Sequence, residues 1–177
     1  MKKKMKIFIL IFTAAFVACG LGFTFYKPDR VLGLEAEFAF NVTDKKLLVG
    51  DAEHVVIGEV VSKLEETKDD IGPITTYSIE VQEEIKGALE SSTITIVQRI
   101  GYDNFKKGII KFEDDDYLVE GNSYVLILRY DDIIGEYRIT TPKYGNVLAK
   151  EKQDKSFKEE VLTEFKEAVK NQQKPKY

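Results

Sequence analysis

The chain has 177 residues and a formal net charge of −4, with 44% apolar, 32% charged and 11% aromatic residues, which argues against a disordered or fibrous protein. The charge is unevenly placed: residues 1–26 carry Lys2, Lys3, Lys4 and Lys6 and no acid, leaving residues 27–177 with 22 basic against 30 acidic residues and a net charge of −8. So acidic a remainder lacks the basic stripe that phosphate binding needs, which argues against a nucleic-acid partner and against docking of the folded part on anionic lipid.

Residues 1–26 predict a membrane anchor or signal segment. Ile7 to Tyr26 holds no charged residue over 20 positions, and a helix of that length covers about 30 Å, the thickness of a bilayer core. The Lys cluster in front of it belongs on the cytoplasmic side, so residues 27–177 are expected outside the cytoplasm at the cell membrane. Cys19, in Phe16-Val17-Ala18-Cys19-Gly20, resembles the lipobox of bacterial lipoproteins. Three outcomes stay open: an uncleaved anchor, a chain lipid-anchored at Cys19, and a cleaved, secreted domain. Cys19 is the only cysteine, so no intrachain disulfide can form in the exported part and its stability must come from a core.

Residues 27–42 read as a juxtamembrane connector, and residues 43–177 as one domain without an internal linker. A short helix is expected first, with Thr43 as N-cap and Leu47 and Leu48 facing inward. From His54 the pattern turns to period two and β-branched residues, predicting five strands over 54–64, 75–87, 93–100, 122–132 and 135–142. In the second, Tyr77, Ile79, Val81 and Ile85 share a face opposite Ser78, Glu80 and Gln82, which predicts a half-buried strand. In the fourth, Tyr124 to Tyr130 is apolar at nearly every position, as in a strand covered on both faces. Gly72-Pro73, Gly87 and Gly121-Asn122 break the pattern between strands. The connection from Gly101 to Asp116 has too much Gly and β-branched residue for a helix. A capping box at Ser156 and Glu159 then opens a C-terminal amphipathic helix with Phe157, Val161, Leu162, Phe165 and Val169 as its apolar stripe, which suits the outside of the sheet.

Five short strands and a covering helix predict an all-β fold with a flanking helix: a five-stranded OB-like closed barrel, since a two-sheet sandwich needs about seven strands. The landmarks are Ala52-Glu53-His54-Val55-Val56-Ile57-Gly58-Glu59-Val60-Val61, Tyr77 to Val81 closing on Lys86-Gly87, Thr93 to Val97, and Gly121 to Leu128. Their order resembles the netrin-like OB-barrel group that includes tissue inhibitors of metalloproteinases, and more closely the short exported bacterial proteins sharing that barrel. The resemblance spans residues 44–148 and implies a fold and a location. Inhibition in that family is understood to use an N-terminal Cys that chelates the enzyme's zinc, together with disulfides; this chain has neither, so that activity does not transfer.

Few residues suggest chemistry. His54 has Asp51 and Glu53 beside it, but a lone strand-edge His is read as a solvated residue and cannot supply a zinc ligand set. The acidic runs Asp69-Asp70, Glu113 to Asp116 and Asp131-Asp132 are read as exposed loop tips; a weak calcium site at Glu113 to Asp116 is the alternative. Nucleophile elbows and phosphate-cradling Gly loops are absent, and no cofactor or metal is expected. Tyr102, Tyr117, Tyr130, Tyr137 and Tyr144 fall in or near connections that can gather at one end of a barrel, where aromatics grip ligands, though most are read as rim packing. The expected function is therefore a membrane-tethered binding or interaction module for an unknown protein or envelope polymer. Two alternatives are a regulator or inhibitor of a secreted or membrane protease, on fold analogy, and a hydrolase with an unrecognised site on the connection from Gly101 to Asp116, for which Asp114, Asp115 and Asp116 are the residues to substitute.

Overall fold

The computed structural model describes residues 30–154 and 156–176; the predicted segment at 1–26, with Cys19, lies outside them. Among the described residues no helix is long and apolar enough to cross a membrane. The described residues are mostly β, with nine strands: β1 (Arg30–Leu34), β2 (His54–Lys68), β3 (Pro73–Lys86), β4 (Thr93–Gln98), β5 (Gly101–Asp103), β6 (Gly108–Phe112), β7 (Ser123–Asp131), β8 (Glu136–Ile139) and β9 (Asn146–Lys150). Two helices accompany them, α1 (Lys45–Asp51) and α2 (Glu159–Lys170).

The five predicted strands correspond to β2, β3, β4, β7 and β8, and they bond into a ring. The order β2-β3-β4-β8-β7 is closed by a β2–β7 pairing. All its pairings are antiparallel except β4–β8, where Ile96 faces Tyr137 and Val97 faces Arg138 in parallel. β9 adds to the first half of the β7 edge whose second half holds β8. The connection from Gly101 to Asp116, read as too rich in Gly and β-branched residues for a helix, carries the β5–β6 hairpin, and Arg30–Leu34 of the predicted connector adds β1 beside β6. Five strands were therefore too few: β1, β5, β6 and β9, three to five residues long, were not predicted, whereas the four-residue β8 lies within the longer predicted run 135–142.

Side-chain alternation on β2 and β7 divides the core in two. Val56, Val60, Tyr124, Leu126 and Leu128 point into the ring with Tyr77, Ile79, Ile94 and Ile96. Val55, Ile57, Val125 and Ile127 point out, where Leu48 and Val49 of α1 and Leu162, Phe165 and Ala168 of α2 cover them. This is why β7 is apolar at successive positions: both faces are buried. Gly58 faces Val81 in the β2–β3 ladder, and a Cβ there would fall 2.3 Å from Ile79 Cγ2.

Both helix starts differ from expectation. Asp44, not Thr43, is the N-cap of α1, its carboxylate accepting the Lys46 N–H at 2.9 Å; the Thr43 hydroxyl donates to Asn41 Oδ1 at 2.7 Å instead. The two inward residues are accordingly Leu48 and Val49, with Leu47 half-buried. α2 starts after Lys158, which caps with no side-chain bond. Its backbone N–H donates to Ala149 O at 2.7 Å, so β9 fixes the entry to the helix and the Ser156–Glu159 capping box is not formed. The predicted apolar stripe of α2 faces the core, with Phe157, Val161 and Val169 packed around its buried residues.

Candidate functional site

Three hairpin turns follow one plan. In Asp69-Asp70-Ile71-Gly72, Asp103-Asn104-Phe105-Lys106 and Asp131-Asp132-Ile133-Ile134, the first Asp folds back on its own turn. Asp69 Oδ1 accepts the Ile71 and Gly72 N–H groups at 2.9 and 3.0 Å. Asp103 Oδ1 accepts those of Phe105 and Lys106 at 2.9 and 2.7 Å, and Asp131 Oδ1 those of Ile133 and Ile134 at 3.0 and 3.4 Å. Aspartate suits this position because its short side chain mimics the next peptide carbonyl. Gly135, at φ +72°, closes the last turn in a conformation that side chains resist.

The common geometry sends the residue two places after each Asp outward. Ile71 is 79% exposed, Phe105 94% and Ile133 95%, the three most exposed large apolar side chains among the described residues. Single exposed apolar residues need no explanation, but three on one structural device do.

Arginines tie two of these turns together. Arg99, just past β4, grips Asp69 with both terminal nitrogens, at 3.0 and 2.8 Å. Arg138 on β8 donates from Nε to Asp131 Oδ2 at 2.5 Å and places Nη1 3.7 Å from Asp69 Oδ2. One guanidinium thus bridges the β2–β3 and β7–β8 turns. Arg99 and the two turn amides hold the Asp69 carboxyl far below the usual carboxylate range, and Arg138 lowers Asp131 in the same way. With Asp69 and Asp131 neutralising the arginines, Asp70 and Asp132 are the remaining charges within these turns, with exposed Lys68 preceding the first. Both aspartates are exposed, and neither is ion-paired among the described residues. Beside the β7–β8 turn lies a groove of about 430 Å³ lined by Asp51, Arg129, Tyr130, Ile133, Arg138 and Thr140. The Phe105 turn differs in charge, with Lys106 and Lys107 next to it; its hairpin is held by Glu66 Oε1, which accepts the Tyr102 N–H.

No protein-family model matches this chain, and no curated protein is significantly similar to it.

Sequence-predicted candidates are placed differently. His54 is not a solvated edge residue: its ring packs edge-on against Tyr137 at 5.3 Å, with Nδ1 buried. The run Glu113 to Asp116 is divided among partners rather than gathered. Asp114 pairs with Lys143 at 2.7 Å and Asp116 with Lys111, while Asp115 turns inward to accept the side-chain amides of Gln98 and Asn146 at 3.2 and 3.0 Å. Burial pushes the Asp115 carboxyl up, against the pull of these amide donors. Among the described residues no three His, Cys, Asp or Glu side chains are grouped to hold a metal ion.

The five tyrosines do not form one cluster. Tyr130 and Tyr137 meet edge-on at 5.0 Å, Tyr144 packs on Phe38, Tyr117 lies under Lys63 Nζ at 4.6 Å, and Tyr102 is tied through its backbone to Glu66. Sequence reasoning missed Arg99, Arg138, Ile71 and Ile133. A signal for them exists in the recurrence of Asp-Asp-Ile-Gly at 69–72 and Asp-Asp-Ile-Ile-Gly at 131–135.

Proposed function

We propose that this chain is a membrane-tethered extracytoplasmic interaction module on an OB-like barrel, with the Ile71 and Ile133 turns as its contact face. The barrel reading is supported by the five-membered ring of Greek-key order with a single parallel pairing. The tether and the extracytoplasmic location rest on the Lys-led uncharged run at 1–26. The observation that carries the contact face is Arg138, which locks two apolar tips into one arrangement, so their side-chain positions are preorganised for a partner. A hydrolytic role for Asp114, Asp115 and Asp116 is not favoured, because each carboxylate is already engaged.

The test is site-specific photo-crosslinking of the full chain in cells, with the reactive side chain at position 71, at 133, and at Glu160 on the exposed side of α2 as control. Adducts of one common size from 71 and 133, missing from 160, are expected. No adduct at the two turns, or the same adducts from all three positions, would remove this face.

A further inference from the structure

We propose that the partner presents a basic peptide segment with interleaved apolar side chains, which lies across the two Ile turns with its cations against Asp70 and Asp132. This rests on the contact face proposed above and names what it binds.

Three features define that chemistry. The first is apolar: Ile71 and Ile133 stand almost fully in water, with Ile134 41% exposed beside them, and burying such side chains is the main gain available to a contact. The second is charge. Asp69 and Asp131 spend their carboxylates on the turn amides and on Arg99 and Arg138, so the arginines offer little positive potential. Asp70 and Asp132 remain, one beside each isoleucine, on a domain whose net charge over residues 27–177 is −8. A cationic segment is attracted both at long range and at the face, whereas an acidic one is repelled.

The third is the groove next to Ile133, bounded by Tyr130 and the Asp51–Arg129 pair, where Arg129 Nη2 reaches Asp51 Oδ2 at 3.2 Å. At about 430 Å³ it has room for one side chain of the segment. Turn amides already satisfied by Asp69 and Asp131 can be covered without losing hydrogen bonds to water, which lowers the cost of docking. A bilayer is disfavoured as the occupant by the two free carboxylates at the tips, which would have to enter the headgroup layer with the isoleucines.

The full chain in phosphatidylcholine nanodiscs is titrated into a fluorescein-labelled peptide of alternating Lys and Leu, with alternating Glu-Leu and Lys-Ser peptides as controls. Expected is salt-sensitive binding of the Lys-Leu peptide alone, weakened about ten-fold in Asp70→Asn/Asp132→Asn and lost in Ile71→Ser/Ile133→Ser, both variants melting as wild type does. Undiminished binding by the Asn variant, or equal binding of the Glu-Leu peptide, overturns the inference. So does quenching of a bimane at Ile133→Cys by nitroxide-labelled lipid, which would make the occupant a membrane. Crosslinks from 71 and 133 to a partner region without basic residues would leave the contact face standing and remove only its chemistry. Absence of both crosslinks and peptide binding removes both.

Discussion

Replacing Asp69 by Asn separates the turn from the ion pair. Asparagine keeps an oxygen for the Ile71 and Gly72 amides but turns an NH₂ donor toward Arg99 Nη2, where a carboxylate oxygen stood at 2.8 Å. A hydrogen bond to a charged group contributes about 1.5–3 kcal/mol and an exposed ion pair at most about 1 kcal/mol. The Asp69 and Arg99 side chains are each 27% exposed, so solvent screens the pair and the loss lies between these limits, about 1.5 kcal/mol. For a domain of this size that lowers Tm by about 3–6 °C.

Because the folded carboxyl titrates far below its unfolded value, its contribution is complete above about pH 4, the unfolded range, and disappears as pH falls toward the folded value. Urea denaturation of the full chain in detergent, followed by far-UV circular dichroism, should show wild type and Asp69→Asn furthest apart from pH 5 to 7 and converging between pH 4 and 2. Asp69→Ala, which also loses the turn acceptor, should cost about 1 kcal/mol more at every pH. A gap between wild type and Asp69→Asn that is absent at pH 7, or unchanged at pH 2.5, would refute the assignment of the stability to Arg99.

Phe165→Ala removes a fully buried ring between α2 and the outer faces of β2 and β7 and should cost about 3–5 kcal/mol in denaturant titration; a loss below 1 kcal/mol would mean that α2 is not part of the folded unit. Gly58→Ala sets a methyl 2.3 Å from Ile79 Cγ2 and should destabilise by about 1–3 kcal/mol, with near-neutral behaviour by calorimetry counting against the close β2–β3 approach. For Asp115, the raised folded-state value means that ionisation opposes folding and that protonation favours it. Asp115→Asn should therefore be neutral or stabilising by about 1 kcal/mol at pH 7 and lose that advantage near pH 4, as measured by urea midpoints at the two pH values; equal destabilisation at both would contradict it.

Much of the ring was legible because β2, β3 and β4 are long enough for period two to repeat, and because α2 shows its stripe over three turns. β7 announced its two covered faces through Tyr124 to Leu128 without a polar break. The short strands were hidden for opposite reasons: Gly108-Ile109-Ile110-Lys111-Phe112 has the right residues in too few positions, while Asn146 to Lys150 depends on the β7 edge it joins. Helix starts slipped by one or two residues because several side chains competed for each cap, and Asp44 and Lys158 were settled by tertiary contacts. The turn tips were least legible. Asp69-Asp70 and Asp131-Asp132 read as solvated charge, yet the first Asp of each pair is consumed by its own backbone and by an arginine distant in sequence. Only those distant partners, Arg99 and Arg138, fix the turns on which Ile71 and Ile133 stand exposed.

The β4–β8 pairing joins the ring through just two opposed residue pairs, Ile96 with Tyr137 and Val97 with Arg138, and parallel ladders are the less stable kind. Local opening of the ring should begin there, with the amides of β8 exchanging hydrogen before those of β2 and β7. Arg138 stands on this seam while its side chain holds the two turns. The turns and the breathing of the ring therefore share one residue, and a partner of the kind proposed above should slow exchange at β8, on the seam, as well as at the turns.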